Sequence, residues 1–163
     1  MIRLAKNEDL ESVVEIYNHA VDAKFQTAFT ERFKVEDRVA WFQQYLGTAY
    51  PMFVYTEDQK VVGWLSLGAY REGRAALRHS VEVSYYIHSS YQRKGIGSSL
   101  LEYALTACRE LNYKVALAII IDKNVGSIRL MEKFGFEQWG YLPGVADYDG
   151  VECGQVYYGL RLK

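Results

Sequence analysis

Seven successive residues, Val115-Ala116-Leu117-Ala118-Ile119-Ile120-Ile121, carry no polar side chain. Such a run reads as a strand in a sheet that is covered on both faces, because either face left wet would select alternating polar positions. The chain must therefore supply helices for two layers. Ile96, Leu100, Leu101, Ala104, Leu105 and Cys108 fall on one helical stripe before this strand, and Val125 to Phe134 reads as a shorter helix after it.

The remaining elements follow from period and punctuation. Ile2 to Ala5 is a strand candidate, then Asn7 stands as an N-cap ahead of Leu10, Val13, Val14 and Tyr17 at helical spacing. Val35 to Tyr45 predicts a second helix, and Val21 to Phe33 an aromatic-bearing connection shaped like a lid or wall. Pro51 to Thr56 and Val61 to Tyr70 predict strands around the hairpin loop Glu57-Asp58-Gln59-Lys60. After a turn near Glu72-Gly73-Arg74 the next strand alternates: Val81, Val83, Tyr85 and Ile87 face one way, Ser80, Glu82, Ser84 and Tyr86 the other. Phe136 to Tyr141 and Val156 to Leu162 complete the set. The order is strand, two helices, three strands, helix, strand, helix, two strands, which predicts a single α/β (α+β) domain over residues 1–163 with a mixed sheet.

Composition narrows the function classes. With 50% hydrophobic and 24% charged residues and only 2 Pro, a packed domain is expected rather than disorder. Nineteen Lys and Arg against 20 Asp and Glu give a net charge of -1, so no overall basic field recruits nucleic acid or an anionic membrane. No apolar run approaches the ~20 residues that span a bilayer, and Met1 to Ala5 followed by Lys6, Glu8 and Asp9 is not a secretory leader, which predicts a cytoplasmic protein. Cys108 and Cys153 lack the spacing of a zinc ribbon, Cys108 falls on an apolar helix stripe, and His19, His79 and His88 show no metal-ligand spacing, so no metal is expected.

The most specific segment is Gln92-Arg93-Lys94-Gly95-Ile96-Gly97-Ser98. It lies between a strand and the start of a long helix, where unpaired N–H groups and the positive end of the helix dipole suit a phosphate; taken alone, it equally fits a glycine-softened loop that merely starts a helix. A dinucleotide fold is excluded because Leu100 stands where the third glycine belongs and His88 to Lys94 separate the turn from its strand. A phosphate-binding Walker loop is excluded because no Lys-Ser or Lys-Thr follows the last glycine.

This segment resembles the (Gln/Arg)-x-x-Gly-x-(Gly/Ala) loop of the GCN5-related N-acetyltransferase superfamily, which binds the acetyl-CoA pyrophosphate. A second segment, Asn124 to Phe136, is similar to that superfamily's Asn-x-x-Ser-x-x-Leu-x-x-x-x-Gly-Phe motif. Ile16-Tyr17-Asn18, Arg38 with Trp41-Phe42, Val62-Gly63-Trp64, Val81 to Ile87 and Gly140 to Val145 extend the resemblance to the phosphinothricin and methionine sulfoximine acetyltransferase branch. The resemblance implies a sheet of about seven strands with about four helices, a homodimer, and acetyl-CoA as cosubstrate in a cleft between the fourth and fifth strands.

It also implies residue roles. Glu82 takes the place of the general base, needed because an amine arrives protonated and must lose a proton before attacking a thioester; taken alone, Glu82 equally fits the polar face of a strand. Ile87, Gln92, Arg93, Lys94, Gly95, Ile96, Gly97, Ser98, Asn124, Ser127 and Lys133 are the expected cofactor contacts, although Asn124 and Ser127 also suit a helix start and Lys133 a solvated helix face. Met131 stands where the superfamily often places a tyrosine acid. Arg71 and Arg74 are candidates to grip a carboxylate or phosphinate through paired hydrogen bonds, and Phe25, Phe29 and Tyr148 candidates for pocket walls, with surface exposure and core packing as the alternatives. The expected reaction is acetyl transfer to a small amino acid or analogue. The acidic stretch Asp147 to Glu152 raises a cationic amine as the alternative acceptor, and a non-catalytic acetyl-CoA sensor is the reading from another class.

Overall fold

The computed structural model describes residues 1–163. Its elements are β1 (Ile2–Leu4), α1 (Leu10–Ala23), α2 (Val39–Gln43), β2 (Met52–Glu57), β3 (Lys60–Ala69), β4 (Ser80–Ile87), α3 (Ile96–Glu110), β5 (Val115–Ile121), α4 (Val125–Lys133), β6 (Glu137–Tyr148) and β7 (Val151–Arg161). One seven-stranded sheet runs in the order β1-β2-β3-β4-β5-β7-β6, and its one parallel pair is β4 with β5. The expected α/β class, strand number and helix number all hold. No helix is long and apolar enough to cross a membrane.

Alternation along the central strands divides the core into two layers. Leu65, Leu67, Val81 and Val83 face α3, where they pack with Leu100, Leu101, Ala104 and Leu105. Trp64 points to the other layer and packs with Val13, Ile16, Tyr17 and Phe42, its indole donating to the Val13 carbonyl at 3.1 Å. Cross-strand register then sets Trp64 beside Tyr86, Ser66 beside Ser84 and Gly68 beside Glu82. The polar face of β4 therefore continues the α1 side of the sheet.

Three local expectations change. The helix expected over 35–45 divides into a 3-10 turn, Val35–Arg38, and the short α2, Val39–Gln43. Asn7 opens a short 3-10 turn, Asn7–Asp9, instead of capping α1, and its side chain accepts from Gln43. Asp9 closes the turn: buried, it accepts the Lys6 N–H at 2.8 Å and both arms of the Arg3 guanidinium at 2.7 and 2.9 Å. The last two strands are longer than expected, 137–148 and 151–161, and meet at Asp149-Gly150, both with positive φ, as a tight hairpin favours. β6 is an edge strand exposed along most of its length, so the alternation that marks a half-buried strand is absent from its sequence.

The feature that builds a site is the short β4–β5 ladder. Only Ser80, Val81 and Glu82 are in register with Val115, Ala116 and Leu117. Beyond Glu82 the two strands part, and a cavity of about 350 Å³ opens between them.

Candidate active site

Glu82 is the last β4 residue still paired with β5. It lines the cavity between the strands and also a second cavity of about 550 Å³ over the α1 face of β3 and β4. No cation pairs with it among the salt bridges of the chain. Burial alone raises its pKa above the ordinary glutamate range, because a half-buried site penalises the charged form. A carboxylate shared by two cavities and more basic than usual is suited to taking a proton.

A third cavity of about 550 Å³ is walled by Ile87, Gln92, Arg93, Gly95, Ile96, Gly97 and Ser98 together with the start of α4. It shares Tyr85, Tyr86, Asn124 and Ser127 with the cavity between the strands, so the two adjoin. Gly95 caps α3 in the left-handed region at φ 81°, and a side chain there would meet nothing within 4 Å, so glycine serves the backbone conformation there; the first amides of α3 lack helical partners, as at any helix start. Gly97 serves a different need: a Cβ there would lie 3.2 Å from the Tyr85 ring. Lys133 reaches Ser98 Oγ at 3.4 Å and so faces the same loop, whereas the Lys94 ammonium rests over the Tyr91 ring at 4.6 Å. Asn124 caps α4 by accepting the Ser127 N–H, and Ser127 Oγ lies 2.7 Å from the Tyr85 hydroxyl. The helix-start role expected for this pair is present in the same residues that wall the cavity.

The pocket-wall candidates separate. Phe29 lines the cavity between the strands and Phe25 the glycine-loop cavity. Tyr148 walls none of these three cavities; it is buried against Phe25 at 4.9 Å and donates to the Thr27 carbonyl at 2.7 Å, pinning the 24–30 segment to the β6–β7 hairpin. Arg71 and Arg74 are exposed on the turn after β3 and stand in none of these walls, because the turn aims them outward; Arg74 bonds the Glu72 carbonyl, and it is Glu72 that lines the cavity over β3 and β4. The acidic stretch is the tip of the β6–β7 hairpin, where Asp147 accepts the Gly150 N–H, and it too lies outside the three cavities.

Sequence reasoning missed the aromatic wall. Tyr17 stacks on Tyr86 at 4.6 Å, with Trp64 and Trp41 packed against it, and Tyr17 lines both cavities that Glu82 joins. Burial pushes the Tyr17 and Tyr86 hydroxyls to higher pKa, so both stay protonated. Arg38 lies over Trp41 at 4.1 Å and Phe33 at 4.3 Å, without an acidic partner and with its Nε buried and unbonded. The signal was present in the alternation that put Tyr86 on the Glu82 face and in the Ile16-Tyr17-Asn18 segment of the branch resemblance, but neither brought the two rings together. Met131 is buried in the wall between β4 and β5 and offers no proton.

Residues 10–136 match the acetyltransferase (GNAT) family. YwnH of Bacillus subtilis (strain 168), provisionally named a phosphinothricin acetyltransferase, is 39% identical over 99% of both chains. The L-methionine sulfoximine/L-methionine sulfone acetyltransferase of Salmonella typhimurium is 33% identical over 94% of this chain and 87% of its own. A phosphinothricin acetyltransferase from Sinorhizobium meliloti, solved in complex with acetyl-CoA, superposes with a TM-score of 0.94 at 28% identity, covering 99% of this chain and 88% of that one. The short β4–β5 ladder, the glycine loop that opens α3 and these relatives agree: the chain belongs to the GNAT family, in its phosphinothricin and methionine sulfoximine acetyltransferase branch, and is an acetyl-CoA-dependent N-acetyltransferase.

Proposed function

We propose that the protein acetylates the primary amine of a small amino acid or analogue of the methionine sulfoximine, methionine sulfone or phosphinothricin type, with Glu82 as general base. The observation that carries this reading is the position of Glu82, on the wall between the cleft that leads to the glycine loop and the cavity over β3 and β4. Bound acetyl-CoA supplies an activated acyl group as a thioester. The amides of Gly95 to Ser98, with Arg93, hold its pyrophosphate; Asn124 and Ser127 border the path of its pantetheine. Glu82, directly or through a water, takes the proton that the acceptor ammonium must lose. Backbone N–H groups of β4 beyond Glu82, where no β5 partner competes for them, stabilise the developing oxyanion. A side-chain acid is not essential to this scheme, because a thiol of pKa about 8.5 leaves tolerably as its thiolate.

The test is thiol release from acetyl-CoA with methionine sulfoximine as acceptor. Wild type is expected to turn over and Glu82→Gln to lose roughly 10²-fold or more in rate while still binding acetyl-CoA. Undiminished turnover by the variant overturns the role of Glu82.

A second reading has one observation in its favour. The walls of the cavity over β3 and β4 include Glu72 and Glu82 and no lysine or arginine, which suits a cationic amine such as a polyamine or peptide amine.

We further read the protein as a cytoplasmic homodimer. The edge strand β6 leaves Trp139, Tyr141, Leu142 and Val145 exposed, an apolar row of the kind a partner covers. Light scattering at micromolar concentration should return about twice 18.8 kDa; a clean monomer contradicts the dimer.

A further inference from the structure

Glu15 and His19 stand one turn apart on α1, and His88 directly follows β4. In the sequence His19 and His88 are far apart; in the fold their rings meet edge to face at 4.4 Å. His19 Nε2 lies 4.0 Å and His88 Nε2 3.9 Å from the same oxygen, Glu15 Oε1, and one ligand atom from each residue lies within 4.8 Å of the other two. Those separations are beyond hydrogen-bond reach. Two imidazole nitrogens and a carboxylate oxygen thus converge on a common point without bonding one another. The far edges of both rings are fixed: His19 Nδ1 contacts the Ser89 N–H and Oγ, each at 3.2 Å, and His88 Nδ1 accepts the Ser90 N–H at 3.2 Å.

We propose that Glu15, His19 and His88 form a binding site for a divalent transition-metal ion of the zinc class, coupled to the cofactor loop. Two imidazoles and one carboxylate suit zinc, nickel or copper rather than magnesium or calcium, which prefer all-oxygen sites. Bonds of about 2.0–2.1 Å require the donor atoms to approach to roughly 3.3 Å. Rotation of the exposed Glu15 side chain supplies its part of that movement, a small shift of the two imidazoles toward one another supplies the rest, and water completes the coordination. None of the three residues walls the three cavities described above, so the ion takes no part in acetyl transfer.

The coupling follows from where the imidazole proton goes. A neutral histidine that gives its Nε2 lone pair to a metal carries its proton on Nδ1. Ser89 Oγ can accept that proton from His19, but the Ser89 and Ser90 N–H groups then face N–H groups and must move away. They belong to the 3-10 turn Ser89–Tyr91, which runs straight into Gln92 to Ser98. Metal and acetyl-CoA should therefore weaken one another by the same factor. This coupling rests on the reading of that loop as the cofactor site; the metal site does not.

Titration calorimetry with Zn²⁺ and visible absorption with Co²⁺ test the site on the full chain. One ion per chain with a micromolar Kd, weakened at least tenfold by His19→Gln and by His88→Gln in variants with unchanged circular dichroism, supports it. Absent saturable binding, or a double variant that binds as wild type does, overturns it. Acetyl-CoA titrated with and without saturating Zn²⁺ tests the coupling: a several-fold loss confined to wild type supports it, and equal affinities with the ion bound overturn it. Acetyl-CoA binding that survives Gly97→Glu would instead refute the loop as the cofactor site, leaving the Zn²⁺ titration to judge the metal site alone.

Discussion

The hydroxyls of Tyr85 and Ser127 lie 2.7 Å apart and join β4 to the first turn of α4 across the place where the cleft between the strands meets the glycine-loop cavity. Tyr85 is also the side chain that a Cβ at Gly97 would strike. One ring thus sets both the width of the cleft and the approach of the loop. Tyr85→Phe keeps the ring against Gly97 and removes the bridge. It should cost about 1 kcal/mol of stability and raise the KM for acetyl-CoA several-fold, read by denaturant melts and thiol release. A variant with wild-type stability and KM would make the bridge incidental.

The two loop glycines should fail differently. Gly95 has open space around it but a left-handed backbone, so Gly95→Ala carries a strain of about 1 kcal/mol that appears in stability. Gly97 has an ordinary backbone but sits 3.2 Å from Tyr85 and 3.4 Å from Leu130, so Gly97→Ala should act on the cleft and weaken acetyl-CoA a few-fold with a smaller effect on melting. Gly97→Glu adds negative charge at the proposed pyrophosphate site and should abolish acetyl-CoA binding in calorimetry. Affinity unchanged in folded Gly97→Glu would move the pyrophosphate elsewhere.

How far these residues could be read from the chain depended on range. The helix stripe from Ile96 to Cys108, the apolar strand at 115–121 and the glycine loop carry local periodicities or short motifs, and each lies where expected. Edge strand β6 has no buried face to impose alternation, so its seven further residues were invisible. The stacking of Tyr17 on Tyr86, the aromatic enclosure of Arg38 and the meeting of His19 with His88 join residues that only the sheet brings together. Arg71 and Arg74 show the converse: residue type suited them to an acid group, but the turn directs them to solvent while its Glu72 lines the cavity.

Glu82 has a sign that can be checked twice. Burial raises its pKa, so the carboxylate stays protonated to higher pH than an exposed glutamate. Turnover should therefore rise with pH through that raised value, placing the acid limb of kcat/KM above the ordinary glutamate range. For stability, the folded state binds the proton that the unfolded state has already lost, so this group favours folding below the unfolded pKa. That contribution is lost as pH rises through the folded pKa. Glu82→Gln removes the dependence and should melt higher than wild type at neutral pH while losing turnover. A variant that melts lower at neutral pH and equally at acid pH would contradict a desolvated carboxylate.

If the acceptor enters the cavity over β3 and β4, as proposed, the charge of that cavity selects it. Its wall holds Glu72 and Glu82 and no cation, whereas relatives of this chain act on methionine sulfoximine, which carries a carboxylate. An acceptor of that type finds no counter-charge on this wall, and Arg71 and Arg74, exposed on the turn that carries Glu72, supply one only if that turn folds over the cavity when the acceptor binds. With such closure, Arg71→Ala and Arg74→Ala should raise the KM for methionine sulfoximine with a smaller effect on kcat, because the contact is made equally in the ground and transition states; an unchanged KM would leave both residues on the surface, as the structure shows them. Lysine replacements should recover part of the loss, since an ammonium lacks the paired geometry of guanidinium. Glu72→Gln should leave methionine sulfoximine unharmed or improve it, and should impair spermidine if a cation occupies the cavity instead. The comparison is kcat/KM for both acceptors on one enzyme. A spermidine advantage of tenfold or more, about 1.4 kcal/mol of transition-state discrimination, together with its loss in Glu72→Gln, would replace the amino-acid acceptor by a cationic amine and leave Glu82 in the same role.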